Sequence, residues 1–238
     1  MGANFGDLDN DGYLDFFVGT GNPNLWTLVP NVMMRNDGGR RFLDVTTAGG
    51  FGHIRKGHGV VFGDIDNDGQ QDVFVRLGGV YEADRAAAAL FANPGNDNSW
   101  ISVRLEGTVS NRSAIGARLS FAIEEDGKKR TIHRATSTGG SFGSKPLRNE
   151  VGLGRARKVE TLEVRWPSGA KQTFSDVAVR RFYSLREGGA LVLDERVKRI
   201  PFPGRRREEA APAGQSNVPF ARDSGGQTRA IGIGPSRH

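Results

Sequence analysis

The stretch Phe5-Gly-Asp-Leu-Asp-Asn-Asp-Gly-Tyr-Leu-Asp-Phe-Phe-Val18 returns as Phe62-Gly-Asp-Ile-Asp-Asn-Asp-Gly-Gln-Gln-Asp-Val-Phe-Val75, with ten of fourteen positions identical at an offset of 57 residues. Each copy packs four aspartates into nine residues, and like charges that close repel unless a cation sits among them. Calcium takes six to eight hard oxygen ligands at roughly 2.3–2.6 Å. A D-x-D-x-D-G turn supplies them, because alternate residues point inward and the glycine permits the sharp bend. The first ligand set is expected to be Asp7, Asp9, Asp11, the carbonyl of Tyr13, and Asp15. The second is Asp64, Asp66, Asp68, the carbonyl of Gln70, and Asp72. Two Ca2+ ions are thus expected, in a structural role that staples a hairpin. Asp, Asn and Gly also suit turns without metal, but two near-copies with four acids each argue against that alternative.

An EF-hand needs a bidentate Glu at loop position twelve. Here that position is Val18 in one copy and Val75 in the other. The flanks Phe-Phe-Val and Val-Phe-Val favour strands over helices. A period of 57 residues suits one four-stranded sheet with its connections, the unit of a β-propeller blade. Between the loops, residues 31–35 and 41–46 read as strands around the turn Asn36-Asp-Gly-Gly39, and Gly57–Phe62 reads as another strand. Residues 82–91, rich in alanine, are the best helical stretch. The loop Asn93–Asn98 marks a boundary.

Beyond it, residues 100–105, 117–123, 130–133, 159–166 and 181–185 alternate apolar and polar in strand fashion. The turns Glu125-Asp-Gly127 and Pro167-Ser-Gly169 punctuate them. The expected fold is all-β: a partial propeller of about two blades over residues 1–95, an antiparallel sandwich or open barrel over 98–195, and a disordered basic tail over 196–238.

Composition narrows the function. There is no cysteine among the 238 residues, which excludes disulfides, thiolate metal sites and Cys nucleophiles. No run approaches the ~18 apolar residues of a membrane span. Residues 1–100 hold 7 Lys and Arg against 13 Asp and Glu, while residues 101–195 hold 17 against 11 and the remainder 9 against 3. Such asymmetry marks separate modules. Met1 is followed almost at once by the first Asp loop, with no signal peptide between them. Sequence upstream of this chain is therefore expected.

The Phe-Gly-Asp-x-Asp-Asn-Asp-Gly-x-x-Asp pattern resembles the FG-GAP/VCBS repeat of integrin-α-like propellers. Asn111–Ala117, Gly139–Ser144, Val151–Gly154 and Val164–Gly169 resemble the ASPIC/UnbV domain found beside such repeats in cartilage acidic protein and many bacterial secreted proteins. The resemblance covers about residues 2–190. It implies an incomplete seven-bladed propeller followed by a β-rich domain, exported to an extracellular or periplasmic place and dependent on calcium. Its partners would be upstream blades or another chain, and a protein or glycan ligand in adhesion.

Other chemistry is weakly signalled. His53, His58 and His133 lack a third group at useful spacing, so packing or loop roles are expected. Gly139-Gly-Ser141-Phe-Gly143 satisfies G-x-S-x-G, but a nucleophile elbow needs a following helix, and turn-rich sequence runs on to Pro146. Lys128-Lys-Arg130 and Arg205-Arg-Arg207 read as solvated charge, because no stacking surface or reading helix accompanies them and nucleic acid is disfavoured. The reading is a non-catalytic calcium-binding module. The alternatives are a carbohydrate-active or hydrolytic accessory enzyme, and a binder of anionic polysaccharide or RNA through the basic half.

Overall fold

The computed structural model describes residues 2–22, 24, 26–79, 81–82, 86–202 and 231–232. These residues are all-β, with four sheets and no α-helix. Each Asp loop joins two antiparallel strands in the same register. The first lies between β1 (Ala3–Gly6) and β2 (Asp15–Val18), which pair Phe5 with Phe16 and Gly6 with Asp15. The second lies between β5 (Gly57–Gly63) and β6 (Asp72–Leu77), which pair Phe62 with Val73 and Gly63 with Asp72. The sequence repeat is therefore a structural one, down to the hydrogen-bonded partner.

The first sheet continues through β3 (Val32–Asn36) and β4 (Phe42–Asp44), in the order β1-β2-β3-β4. The second adds β7 (Ala89–Phe91) beyond β6. Here the structure corrects the helical expectation for residues 82–91. Ala89, Leu90 and Phe91 pair with Val75, Phe74 and Val73. A waiting sheet edge overrides alanine's helix propensity, which is worth only tenths of a kcal/mol per residue.

The inner faces of these two sheets meet. Phe17, Met33 and Phe51 pack with Val60, Phe62, Val73, Val75 and Leu77 in one buried cluster. Val18 and Val75, which stand where an EF-hand has its Glu, sit in strands as expected.

A second buried cluster joins two further sheets. One is β10-β9-β13-β14, built from β9 (Arg118–Glu125), β10 (Lys128–Ala135), β13 (Lys158–Arg165) and β14 (Lys171–Ala178). The other is β12-β8-β15-β16, built from β8 (Ser99–Glu106), β12 (Asn149–Gly154), β15 (Arg181–Arg186) and β16 (Leu191–Leu193). Ile101, Val103, Phe121, Ile123, Leu162 and Leu185 are among the side chains buried between them. The β9–β10 turn is the expected Glu125-Asp-Gly127, with Asp126 and Gly127 both left-handed, as a two-residue hairpin requires. One feature departs from a purely antiparallel arrangement: β15 runs parallel to β8.

The halves interlock. β11 (Gly143–Ser144) lies parallel on β5, and Ala3 bridges to Ser141 beside it. Residues 198–200, read with the tail from sequence, lie against the second Asp loop: Ile200 N–H donates to the Asp66 carbonyl at 2.7 Å. A further short strand, β17 (Ile231–Gly232), pairs with β7. Residues 203–230 and 233–238 of the expected disordered tail, Arg205–Arg207 included, fall outside the described residues.

Candidate metal centres

Both Asp loops follow one hydrogen-bonding plan. Asn10 and Gly12 have φ of 54° and 91°, and Asn67 and Gly69 have 57° and 89°. Only Gly adopts such angles freely, and Asn is among the few other residues that tolerate them. With the backbone so turned, Gly12 N–H donates to Asp7 Oδ2 and Gly69 N–H to Asp64 Oδ2, each at 3.0 Å. Tyr13 N–H reaches Asp11 Oδ1 at 2.7 Å, as Gln70 N–H reaches Asp68 Oδ1 at 3.0 Å. Carboxylate oxygens of Asp7, Asp9 and Asp11 lie within 4.8 Å of one another, and those of Asp64, Asp66 and Asp68 do the same.

The fourth aspartate of each loop is placed differently. Asp15 Oδ2 accepts Leu8 N–H at 2.9 Å and its Oδ1 accepts Asn36 N–H at 2.8 Å. Asp72 repeats this with Ile65 N–H and Asn93 N–H. Each ties the start of its loop to the strand or turn beyond. An oxygen that accepts one amide keeps a second lone pair for a cation. The charges on Asp9 and Asp7 are felt at Asp15, although its carboxylate is not one of the three gathered within 4.8 Å.

Burial and crowding push these acids up. Burial, with Asp9 and Asp7 adding to it, raises Asp11 to about 7. Burial and then Asp9 raise Asp15 to about 8. Burial raises Asp7 to about 6 against the pull of Arg134. In the second loop, burial and then Glu150 raise Asp64 to about 7, and burial raises Asp72 to about 7. The donor set is hard oxygen throughout, which suits calcium. In addition, Asp7 Oδ1 is buried with no hydrogen-bond partner. A buried acceptor without a donor is costly, and a cation in the loop would remove that cost. The residues present therefore fit the ion.

Around Tyr13 and Gln70, expected to ligate through their carbonyls, the side chains make their own contacts. Arg130 stacks over the Tyr13 ring, 5.2 Å from its centroid. Gln70 Oε1 accepts the side-chain amides of Asn10 and Asn96, both at 2.9 Å, and so links one loop to the other.

Sequence reasoning missed that both loops face the second half of the chain. Arg134 Nη2 lies 3.3 Å from Asp7 Oδ2. Arg130 Nη2 donates to the Asp11 carbonyl at 2.6 Å. This corrects the solvated-charge reading for Arg130, whose side chain is only 20% exposed, while Lys128 and Lys129 are exposed as expected. On the second loop, Arg148 donates to Asn67 Oδ1 and to the Asp64 carbonyl, and Glu150 Oε2 accepts Asp64 N–H. Arg199 Nη2 lies 3.2 Å from Asp68 Oδ2. Trp100 packs closely against Gly69, where an added Cβ would fall 1.8 Å from the indole. No spacing signal links residues so far apart in sequence.

The remaining candidates are plainly placed. His53 Nδ1 accepts Arg55 N–H within its loop, and His133 lies 3.1 Å from the Ser120 hydroxyl on an exposed strand. Ser141 is exposed and is followed by strand β11 rather than a helix. A cleft of about 240 Å³ between the halves is lined by Asn4, Gln71, Arg134, Lys145, Arg148 and Glu150, with one carboxylate and no histidine in its wall.

Residues 2–75 match the family model of the FG-GAP-like repeat, and residues 107–192 match that of ASPIC and UnbV. A search of curated proteins returns no match. Domains of these two families are generally non-catalytic, and the families are typically extracellular or periplasmic. No helix among the described residues is long and apolar enough to cross a membrane.

Proposed function

We propose that this chain, which joins an FG-GAP-like repeat segment to an ASPIC/UnbV segment, is a non-catalytic calcium-binding module of an extracellular or periplasmic protein, engaged in adhesion through a protein or glycan ligand. The observation that carries the metal reading is the duplicated loop geometry. Two loops 57 residues apart hold three carboxylates within 4.8 Å, under the same pair of left-handed residues. In the first, Asp7 Oδ1 is buried with no donor. Calcium would be structural, offsetting the repulsion that burial imposes on these acids.

In the same reading the first two sheets are adjacent blades, and the ASPIC/UnbV segment is a sandwich of two sheets. The repeat itself says what belongs on the open side of the first blade. Phe62, Val73 and Val75 face the first sheet and are buried by it. Their counterparts Phe5, Phe16 and Val18 point the other way. There Phe5, Phe16 and Phe42 form an aromatic row with centroid spacings of 5.8 and 4.9 Å. Phe5 is 53% exposed and Phe42 44%. That face would seat another blade, from upstream sequence or from another chain.

Calcium titration by calorimetry, paired with melting in calcium and in chelator, tests the metal reading. Two sites and a higher Tm in calcium are expected, and Asp9→Ala and Asp66→Ala should each remove one site. A flat titration with a Tm indifferent to chelator would sink it.

A further inference from the structure

We propose that the ASPIC/UnbV segment completes the first calcium site by holding Asp7, so that metal loading of that loop and docking of β10 and β12 against it strengthen one another. The proposal rests on the calcium reading above and adds a role for residues outside the loop.

Asp7 is shared between two partners. Its Oδ2 accepts Gly12 N–H from its own loop at 3.0 Å, Gly152 N–H from β12 at 3.2 Å, and Arg134 Nη2 from β10 at 3.3 Å. Its Oδ1 has no hydrogen-bond partner, and the residue is 1% exposed. Three donors on one oxygen fix the carboxylate plane and leave the other oxygen for a cation. Two of those donors come from more than 120 residues away.

The surrounding contacts engage the backbone of the loop, so neither partner moves alone. Gly154 N–H donates to the Asn10 carbonyl at 2.8 Å, and Arg134 also donates to the Gly12 carbonyl at 3.1 Å. A Cβ on Gly152 would fall 2.4 Å from the Asn10 backbone and 2.5 Å from Asp7 Oδ2. A Cβ on Gly12 would fall 2.7 Å from Ile132 Cδ1. An ion that tightens residues 7–15 therefore fixes the surface on which β12 sits. By linkage, a seated β12 raises the affinity of the loop for the ion.

The guanidinium groups set up an opposing tendency, because Arg130 and Arg134 repel a cation in the loop. Geometry decides between them. Arg134 engages Oδ2 and not Oδ1, and within the loop Arg130 bonds the Asp11 carbonyl, while its carboxylate partner is Glu125, outside the loop.

Amide hydrogen exchange on the full chain, in calcium and in chelator, reads the coupling. The Gly152 and Gly154 amides should exchange about tenfold slower in calcium, within the usual range of coupling between sites. Asp9→Asn separates metal from direct contact, since the Asp9 side chain meets Arg35 and the Asp11 amide within the repeat segment. It should abolish the calcium effect at Gly152 and Gly154. Gly152→Ala, which forces β12 off the loop, should weaken one calorimetric site about tenfold and spare the other. Where Gly152→Ala does not fold, the exchange experiment on wild type and Asp9→Asn still decides. Calcium that binds at two sites yet leaves Gly152 and Gly154 unchanged, or speeds their exchange, overturns the coupling while the metal reading stands. No calcium binding at all overturns both.

Discussion

Glu187 follows β15 and gathers two distant turns onto itself. Its Oε2 accepts the backbone amides of Thr108, Val109 and Ser110 at 2.8–2.9 Å, and its Oε1 accepts the hydroxyls of Ser110 and Ser168. Burial pulls its carboxyl upward, but the Ser168 hydroxyl and the Ser110 and Thr108 amides outweigh that and hold it down to about 2. A depressed carboxyl contributes stability above its unfolded value of 4.5, and the contribution is lost as pH falls toward 2. Glu187→Gln should therefore lower Tm at pH 7, with the gap to wild type closing between about pH 4.5 and pH 2. A gap that persists at low pH would assign the effect to shape and not charge. At the same scale, Gly69→Ala places a methyl 1.8 Å from the Trp100 indole, at a φ of 89°. It should destabilise by about 1–3 kcal/mol in denaturant melts, for overpacking and backbone strain together.

At the scale of elements, the hairpins around the Asp loops were legible because their determinants are local. Aspartates, an asparagine and a glycine within nine residues dictate a turn, and apolar residues on either side dictate strands. The helical expectation for residues 82–91 failed because what decides Ala89–Phe91 is the free edge of β6. β12 was passed over as a strand, since Asn149 and two glycines disfavour strands by propensity. The first loop presses against Gly152, while Gly154 has a left-handed φ of 57° and the Glu125 carboxylate where a Cβ would lie. β14 was missed because its residues are mostly exposed and give little alternation. Of the metal centre, the loop half could be read from sequence. The half made by Arg130, Arg134, Arg148, Glu150 and Gly152 could not, because nothing in their own neighbourhoods shows what they face.

For the whole molecule, the aromatic row on the first sheet is an apolar face with no cover among the described residues. Such faces drive association in water. Sedimentation of the chain should show concentration-dependent self-association, and Phe5→Glu with Phe42→Glu should suppress it without lowering Tm. Equal sedimentation of both proteins would argue that this face is inert.

The segment from Ser141 to Ser144 has a consequence for the order in which the chain is made. It bridges Ala3 of β1 and lies parallel on β5, so it mortises together two sheets whose strands β1 to β7 end at Phe91. A ribosome adding 5–20 residues per second spends roughly 2–10 s on residues 92–140. Through that interval the finished sheets wait with β1 and β5 unsealed, their amides open to any passing strand. This places the hazard for misassembly in nascent-chain timing, and makes a chaperone that covers those edges most valuable until residue 141 emerges.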